Sequence, residues 1–290
     1  MNAKKKYLIL GSGGQLGMEW CAWLEKQGAK YRGLTRKELD ITCLDALETL
    51  LDLQKPDVVV NCAAYTKVDQ AEDEQQMAVQ VNQRGPGLLA RCCENSPEKP
   101  LLVHYSTDYV FPGRLADRSR WPDGYPIDAP AEPVNWYGQT KWKGEEEVRA
   151  ACANHLILRV SWLCGSHGNN FVHTMLRLAG ERDHLKVVAD QYGCPSFTEP
   201  VTRISSDLAD SGETGTFHVS SNGETSWYDF AKAILRGRKV RIDPITTAEW
   251  PTRAARPAWS RLDITALADV SRTRILPWQE DLDLLLRQIS

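Results

Sequence analysis

The feature that most constrains the fold of this 290-residue chain is a glycine-rich turn near its beginning. Residues 7–10 (YLIL) form a short apolar run typical of a buried parallel strand, and an apolar-periodic segment extending to about residue 27 predicts a helix. The turn between them, residues 11–17, reads GSGGQLG. A strand, a glycine turn and a helix in this order are typical of a dinucleotide site, where the pyrophosphate binds at the helix N-terminus.

Three glycines of this turn have separate expected functions. We expect Gly11 to permit the tight turn, Gly14 to let backbone amides approach a phosphate, and Gly17 to allow close packing of the helix on the strand. The spacing is G-x-x-G-x-x-G rather than the usual G-x-G-x-x-G. A plain glycine turn that binds no ligand is therefore the alternative.

The residues that follow the second predicted strand bear on the choice of cofactor. This strand covers residues 31–34 and is followed by Thr35 and Arg36. An acidic residue usually binds the ribose hydroxyls of NAD at this place, whereas an arginine favours the 2′-phosphate of NADP. We therefore predict NADPH as the cofactor, with NADH as the alternative, because a lone arginine is often only a solvated surface residue.

Small, polar or aromatic residues also stand at the ends of three later predicted strands. They are Ala63 and Ala64 at the end of 58–64, Thr107 and Asp108 after 101–106, and Trp162 after 155–160. Ligands of open α/β sheets bind outside the carboxyl ends of the strands, so these side chains are placed for function. The alternatives are helix–strand packing for the two alanines and burial in the core for the tryptophan.

A tyrosine and a lysine four residues apart are the strongest catalytic candidates. Tyr137 and Lys141 fall in a predicted helix, where this spacing places both side chains on one face. A phenol is a useful proton donor only if its anion is stabilised, and a neighbouring ammonium lowers its pKa. Tyr228 and Lys232 repeat the spacing in a late helix, where we expect a surface pair. An ordinary helix-surface pair of Lys141 with Glu145 is the alternative for the first face.

The composition excludes several classes of function. The net charge is −3, the pI is about 6.1 and no long basic run occurs, which argues against nucleic-acid or membrane partners. The eight cysteines include no Cys-x-x-Cys pair, as suits reduced thiols. No apolar run is long enough for a transmembrane helix or a signal peptide. We expect a cytoplasmic protein without a metal site, and a homodimer is compatible with the sequence.

The order of the predicted elements indicates two parts. Strands and helices alternate strictly in residues 1–160, which we assign to a dinucleotide-binding domain. Shorter elements follow, and we expect residues 161–290 to form mostly a smaller substrate-binding lobe, interleaved with the last strands of the sheet. Residues 68–93 are predicted to be mostly helical, with an interruption around Gly85, Pro86 and Gly87.

Several sequence runs occur together in one known family. They are GQLG at 14–17, NCAAYTKVD at 61–69, HYSTDYVFPG at 104–113, YGQTK at 137–141, NNF at 169–171, DQYG at 190–193 and RP at 256–257. With this set the chain resembles the dTDP-4-dehydrorhamnose reductases, a family of extended short-chain dehydrogenases/reductases. The resemblance implies an α/β fold with a Rossmann-like, doubly wound parallel sheet and a smaller interleaved α/β substrate-binding lobe. It also implies NAD(P)H-dependent reduction of the carbon 4 ketone of a dTDP-sugar, giving dTDP-L-rhamnose.

The resemblance further implies roles for individual residues. Tyr137 is the expected proton donor, Lys141 binds the nicotinamide ribose and lowers the Tyr137 pKa, and Thr107 hydrogen-bonds the carbonyl oxygen. The implied cofactor contacts are Gly14, Gln15, Leu16, Asp40, Ile41, Ala63, Ala64, Tyr137 and Lys141, beside Gly11, Gly17, Thr35 and Arg36. The positions that match sugar-facing residues are Val68, Thr107, Asp108, Trp162 and Arg256.

Three departures from the family pattern leave alternatives open. Thr35 and Arg36 stand where an acidic residue is usual, Cys164 replaces a common tyrosine, and the loop over 114–126 is longer than usual. A nucleotide-sugar epimerase would use the same tyrosine and lysine with a tightly held oxidised cofactor. A non-catalytic relative, similar to the regulatory beta subunit of methionine adenosyltransferase, shares the glycine turn but differs after Ala63 and Ala64.

Overall fold

The structure, a computed structural model, describes residues 5–289 and contains twelve strands and eleven α-helices in that range. The strands are β1 (Lys6–Leu10), β2 (Lys30–Leu34), β3 (Val58–Asn61), β4 (Leu101–Thr107), β5 (His155–Val160), β6 (Leu163–Cys164), β7 (His184–Val188), β8 (Tyr192–Gly193), β9 (Ser196–Phe197), β10 (Gly215–His218), β11 (Thr225–Ser226) and β12 (Arg241–Ile245). The helices are α1 (Gln15–Lys26), α2 (Leu44–Gln54), α3 (Gln75–Val79), α4 (Gly85–Asn95), α5 (Asp117–Arg120), α6 (Trp136–Ala151), α7 (Phe171–Glu181), α8 (Thr198–Ser211), α9 (Trp227–Ile234), α10 (Thr265–Val270) and α11 (Trp278–Ile289). Within the described residues, no helix has the length and apolar character needed to cross a membrane.

Six of the strands form one parallel sheet in the order β10-β5-β4-β3-β1-β2. From β1 the chain goes outward to β2 on one side and then returns to β3 on the other, so the strand order reverses at β1. This arrangement confirms the predicted doubly wound α/β fold. In such a sheet the crevice for a ligand lies outside the carboxyl ends of the strands, at the point of reversal.

Both faces of the sheet are buried, which explains the continuous apolar runs of its strands. Ile9 and Val103 contribute to a core shared with α1 and α8. Leu10 and Leu102, their neighbours in sequence, contribute to the opposite core with α2, α4 and α6. Successive side chains of a strand point to opposite faces, so each strand supplies both cores.

The second half of the chain extends the sheet and also builds a core of its own. β10 pairs with β5 at the edge of the sheet, and α8 packs beside α1. A separate core contains Phe230 and Trp278 and is shared by α7, α9 and α11. The division of the chain into two domains at residue 160 stays a prediction.

The loop over 114–126 folds back onto this second half. It contains α5, and its Tyr125 is fully buried. The Tyr125 ring stacks on Phe111 at 4.6 Å and lies 4.8 Å from the ring of Trp259. Arg118 pairs with Glu224 at 2.6 Å. The loop is therefore an ordered part of the structure, and its effect on sugar recognition stays a prediction.

The predicted helix interruption around Gly85, Pro86 and Gly87 is wrong. A π-helical segment, Gln80–Arg84, follows α3 and continues directly into α4. In this wider turn the Gly85 amide donates to the carbonyl of Gln80. Pro86 then falls in the first turn of α4, where its missing N–H costs little.

The π segment brings Asn82 against α6. An ideal Cβ at Gly144 would lie 2.1 Å from the Asn82 carbonyl oxygen, so this approach requires glycine. The Asn82 side chain accepts from the Tyr65 amide at 2.8 Å and donates to the Tyr65 carbonyl at 3.0 Å. It also donates to the Thr140 hydroxyl at 3.2 Å. Asn82 thus joins the segment after β3 to the helix that carries Tyr137.

A buried ion pair fixes the middle of α6 against the sheet. Arg159 on β5 donates to the Glu145 carboxylate from Nε at 3.0 Å and from Nη2 at 2.8 Å. Arg149 binds the same carboxylate, and Arg159 also donates to the Ile127 carbonyl at 2.9 Å. The alternative of a Lys141–Glu145 surface pair is wrong, because both side chains are buried and Glu145 is bound by arginines.

We predict that Glu145→Ala destabilises the protein by about 3–5 kcal/mol, because it leaves Arg159 charged and unpaired in the interior. Urea unfolding of the variant and the wild type measures this difference. Glu146→Ala is the matched control, because Glu146 forms an exposed pair with Lys143 at 2.8 Å. The control should unfold nearly like the wild type. A loss below about 1 kcal/mol in Glu145→Ala would show that the ion pair does not anchor α6.

Candidate active site

Two clefts at the carboxyl ends of the parallel strands meet at the glycine turn. The first, which we call the β2 cleft, has a volume of about 500 Å³ and lies between the turn and the residues after β2 and β3. The second, the Tyr137 cleft, has a volume of about 650 Å³ and lies among the residues after β4 and β5 and the start of α6. Gly13, Gly14, Cys62 and Ala64 line both, so the clefts adjoin each other across the turn.

The glycine turn has the geometry of a phosphate-binding turn. Gly11 has a φ of +79°, a conformation that favours glycine. An ideal Cβ at Gly17 would lie 2.3 Å from the Gly11 carbonyl oxygen, so α1 can approach the turn only with glycine at this position. Gly14 is the N-cap of α1, and no side chain caps the helix. The first amides of α1 are therefore available to an anion, and the turn suits a pyrophosphate.

The predicted cofactor contacts divide between the two clefts. Those that line the β2 cleft are Gly11, Gly14, Thr35, Arg36, Asp40, Ile41, Ala63 and Ala64. Those that line the Tyr137 cleft are Gly14, Gln15, Leu16, Ala64, Tyr137 and Lys141. Gly17 lies behind the turn, where it packs against Gly11. The β2 cleft is also lined by residues that the sequence analysis missed: Gly13, Lys37, Leu39, Cys62, Tyr65 and Val81.

An unpredicted carboxylate lies beside Thr35 at the end of β2. Glu38 accepts hydrogen bonds from the Thr35 amide at 2.8 Å and from the Thr35 hydroxyl at 2.7 Å. These bonds lower the pKa of Glu38. The spacing of a threonine and a glutamate three residues apart, as in a capping box, is a sequence signal for this contact. The β2 cleft therefore has the positive charge of Arg36 in its lining and the negative charge of Glu38 close by.

The predicted sugar-facing residues mostly line the Tyr137 cleft. Val68, Thr107, Asp108 and Trp162 do so together with Tyr137 and Lys141. Residues of this cleft that the sequence analysis did not assign to a site are Gly13, Cys62, Thr66, Tyr105, Ser106, Tyr109, Val160, Leu163, Gly168, Asn169 and Trp227. Many of them belong to the runs at 61–69, 104–113 and 169–171, whereas Trp227 stands in no run that indicated a site.

Thr107, at the end of β4, forms hydrogen bonds with both Asp108 and the phenol of Tyr137. Its hydroxyl donates to Asp108 Oδ1 at 3.0 Å and accepts from the Tyr109 amide at 3.2 Å. Burial raises the pKa of Asp108 to about 6. Burial also raises the pKa of Tyr137 and outweighs the opposite effect of a hydrogen bond with Thr107. The pKa of Tyr137 is therefore raised, whereas the sequence analysis expected Lys141 to lower it. The phenol carries its proton at neutral pH.

Lys141 places an ammonium inside the protein, where only 2% of the residue is exposed. Its Nζ donates to the Tyr105 carbonyl oxygen at 2.5 Å. Burial lowers the pKa of Lys141 to about 8, and the nearby Glu145 carboxylate opposes this shift. At neutral pH the ammonium is charged and lines the same cleft as the phenol of Tyr137.

The start of α6 is held by its own cap and by contacts from two other segments. Asn135 caps the helix by accepting from the Gly138 amide at 2.8 Å, and its Nδ2 donates to the Ala255 carbonyl at 2.8 Å. The Trp136 amide donates to Glu72 at 2.8 Å. Tyr137 follows directly, so its backbone position is fixed by these neighbours.

Two further predictions concern residues away from the lining of the clefts. Arg256 donates to Asp69 at 2.6 Å and is 17% exposed in its side chain. Asp69 is the neighbour of Val68, so Arg256 lies beside the Tyr137 cleft, and its contact with a sugar stays a prediction. Lys232 is exposed and lies 5.0 Å from the centre of the Tyr228 ring. Tyr228 itself is half-buried against the core shared by α7, α9 and α11, so the expected surface position is confirmed for the lysine only.

Among residues 5–289 there is no group of three or more His, Cys, Asp or Glu side chains arranged to hold a metal ion. The chemistry available in the clefts is that of a phenol, a hydroxyl, a carboxyl group and an ammonium. Such a set can donate a proton to a carbonyl oxygen and stabilise the charge that forms there.

Comparisons with known proteins agree with this geometry. Residues 5–290 match the family described as the RmlD substrate binding domain. The chain is 39% identical over 292 residues to the dTDP-4-dehydrorhamnose reductase of Aggregatibacter actinomycetemcomitans, covering 96% of this chain and 97% of that protein. It is 37% identical over 287 residues to the spore coat polysaccharide biosynthesis protein SpsK of Bacillus subtilis, covering 98% of each. Its fold is similar to the crystal structure of a dTDP-4-dehydrorhamnose reductase from Bacillus anthracis in complex with NADP, with a TM-score of 0.93, 35% identity, and coverage of 99% and 100% of the two chains.

We predict that Lys141→Met stabilises the protein below pH 8. Burial lowers the pKa of Lys141 from 10.5 to about 8, a difference equivalent to about 3 kcal/mol at most. The unfolded chain holds this proton up to its ordinary pKa, whereas the folded protein releases it near pH 8. The wild type therefore gains stability as the pH rises from about 8 to 10.5, and the advantage of the variant disappears over the same range.

Urea unfolding at pH values below and above this range measures the effect. Lys143→Met is the matched control, because the Lys143 side chain is 58% exposed on the same helix. The control should show no comparable pH-dependent change. A Lys141→Met protein that is less stable than the wild type below pH 8 would show that the bond to Tyr105 outweighs the cost of burial.

Proposed function

This chain belongs to the RmlD substrate binding domain family, and from that premise we propose that it is a dTDP-4-dehydrorhamnose reductase. The reaction reduces the carbon 4 ketone of dTDP-4-dehydro-L-rhamnose with NADPH and gives dTDP-L-rhamnose, a precursor of cell-surface polysaccharides. The observation that carries the proposal is the convergence of Tyr137, Thr107 and Lys141 on one cleft that adjoins the glycine turn.

The residues of the β2 cleft and the glycine turn suit NADPH. The first amides of α1 would hold the pyrophosphate, and Ala63 and Ala64 would leave room beside the backbone for a flat ring. Arg36 binds the 2′-phosphate, in keeping with the NADP bound by the Bacillus anthracis enzyme. The bound cofactor supplies the hydride. Gln15 and Leu16, which line the Tyr137 cleft next to the glycine turn, would contact it there.

Tyr137 donates its phenolic proton to the carbonyl oxygen as the hydride reaches carbon 4. Negative charge grows on that oxygen, and donors already aimed at it stabilise the transition state more than the ketone. Thr107 is the second donor once its hydroxyl hydrogen turns from Asp108 to the substrate. Lys141 is charged below about pH 8, so it binds the nicotinamide ribose and favours the phenolate that Tyr137 becomes.

The sugar occupies the part of the Tyr137 cleft between the ends of β4 and β5. Val68 and Trp162 supply apolar contacts, and Asp108 supplies a hydrogen-bond acceptor or donor according to its protonation. Arg256, which pairs with Asp69 beside this region, is a further residue that contacts the substrate. The enzyme acts in the cytoplasm, with residues 1–160 binding the cofactor and residues 161–290 mostly covering the sugar, and a homodimer is compatible with this arrangement.

The direct test is an assay with the purified protein, NADPH and enzymatically made dTDP-4-dehydro-L-rhamnose. We expect loss of NADPH absorbance only when the sugar is added, with formation of dTDP-L-rhamnose detected by chromatography. A purified protein that carries bound NAD+ and oxidises no NADPH with this sugar would instead favour a nucleotide-sugar epimerase.

We predict that Tyr137→Phe lowers turnover by about 10²-fold or more, because the positioned proton donor is lost. The affinity for NADPH, measured by fluorescence titration, should change little. Tyr228→Phe is the matched control and should turn over like the wild type. Turnover of Tyr137→Phe within about threefold of the wild type would remove Tyr137 from the mechanism.

We also predict that the wild type uses NADPH at least as well as NADH, and that Arg36→Ala lowers kcat/KM for NADPH by roughly 10- to 150-fold with little effect on NADH. This range corresponds to about 1.5–3 kcal/mol for a charge-assisted contact. Glu38→Gln should shift the preference further toward NADPH, because it removes a carboxylate hydrogen-bonded to Thr35. Steady-state kinetics with both cofactors measures these ratios.

Lys30→Ala, at the exposed start of β2, is the control for a general loss of positive charge and should not change the ratio. A preference for NADPH that is undiminished in Arg36→Ala would show that another residue binds the 2′-phosphate.

A further inference from the structure

Trp162 has a backbone conformation that is unusual for its residue type. Its φ is +48°, in the left-handed region that L-residues with large side chains rarely adopt. It directly follows Ser161 at the end of β5, and the Ser161 hydroxyl donates to the Cys194 carbonyl at 2.5 Å. Strained positions of this kind persist only where surrounding contacts hold them, and they are concentrated at functional sites.

The contact that holds the Trp162 side chain is the indole of Trp227. The two rings are stacked, with centroids 3.7 Å apart and planes inclined by 12°. Gly193 packs against the Trp162 ring as well, since an ideal Cβ there would lie 3.0 Å from two of its atoms. Trp162 is therefore confined by both Trp227 and β8.

Trp227 is itself fixed by the core of the second half of the chain. It is the first residue of α9, and Ser226 caps this helix by accepting from the Asp229 amide at 3.0 Å. Its ring lies 4.6 Å from the Phe171 ring and 6.4 Å from the Phe230 ring. The half-buried indole nevertheless lines the Tyr137 cleft beside Trp162. Trp227 thus packs in this core and is exposed to the cleft at the same time.

We propose that Trp227 is a positioning residue, whose indole holds Trp162 in the orientation that the sugar of a nucleotide-sugar substrate requires. This inference rests on the proposed function. Trp227 lies at the start of α9, stacks on the Trp162 ring and takes no part in proton or hydride transfer. Its loss therefore weakens binding of the sugar and leaves the chemical step largely intact.

The test compares Trp227→Ala, Trp227→Leu and Trp227→Phe with the wild type under saturating NADPH. Trp227→Ala and Trp227→Leu should raise KM for dTDP-4-dehydro-L-rhamnose about tenfold, the size expected for a lost aromatic contact. Their kcat should stay within about threefold of the wild type, and their affinity for NADPH should not change. Trp227→Phe keeps a flat ring on Trp162 and should restore most of the affinity.

Circular dichroism supplies a second measurement that reports the stack directly. Two indoles in van der Waals contact couple their electronic transitions and give paired positive and negative bands in the far ultraviolet. All three variants should lose these bands, whereas only Trp227→Ala and Trp227→Leu should lose sugar affinity. Trp250→Ala, at a residue that is 60% exposed, is the control and should change neither signal nor KM.

The outcomes separate this inference from the proposed function. A wild type that reduces the sugar, with an unchanged KM in folded Trp227→Ala and Trp227→Leu, would show that Trp227 only packs the lobe. The leucine variant preserves apolar bulk, so the test remains valid if the alanine variant does not fold. A wild type that reduces no such sugar would reject the proposed function, and this inference with it.

Discussion

The placement of a charged ammonium inside the protein is the constraint on which the rest of the site depends. Lys141 reaches the cleft from α6 and donates to the carbonyl of Tyr105 at the centre of the sheet. Such burial is tolerated only if the helix that carries the lysine is held rigidly, because an unpaired charge in the interior is costly. The Glu145–Arg159 ion pair and the Asn82 bridge supply this rigidity from two sides. These two sets of contacts thus keep the destabilising ammonium of Lys141 in place.

The same cost explains the protonation states of the site. Burial raises the pKa of Tyr137 and Asp108 and lowers the pKa of Lys141, so each shift favours the uncharged form. The tyrosine thereby holds its proton until a substrate oxygen develops negative charge, and the lysine, with a pKa of about 8, remains able to balance that charge. The spacing of Tyr137 and Lys141 alone predicts a lowered pKa for Tyr137. That prediction takes account of the Lys141 ammonium but not of the desolvation of the buried phenol.

The two halves of the chain meet at the carboxyl ends of the strands. The sheet places the glycine turn, Thr107 and Tyr137 around the cleft, and the second half adds Trp227 from its own core. β10 and α8 join the second half to the sheet, whereas α9, which carries Trp227, packs in the separate core of the second half. This arrangement suits a site in which the cofactor lies on the sheet and the sugar is covered by the lobe.

The sequence by itself determined the features that depend on local order. The alternation of strands and helices, the glycine turn and the helix of Tyr137 and Lys141 all follow from spacing within short segments. Tertiary structure alone decided the features that depend on distant partners. Glu145 is buried because Arg159 lies on a neighbouring strand, Pro86 is accommodated by a π segment, and Trp227 reaches the cleft because α9 packs on α7. Spacing along a chain reports which side chains share a face, whereas burial and pKa depend on what the fold places opposite that face.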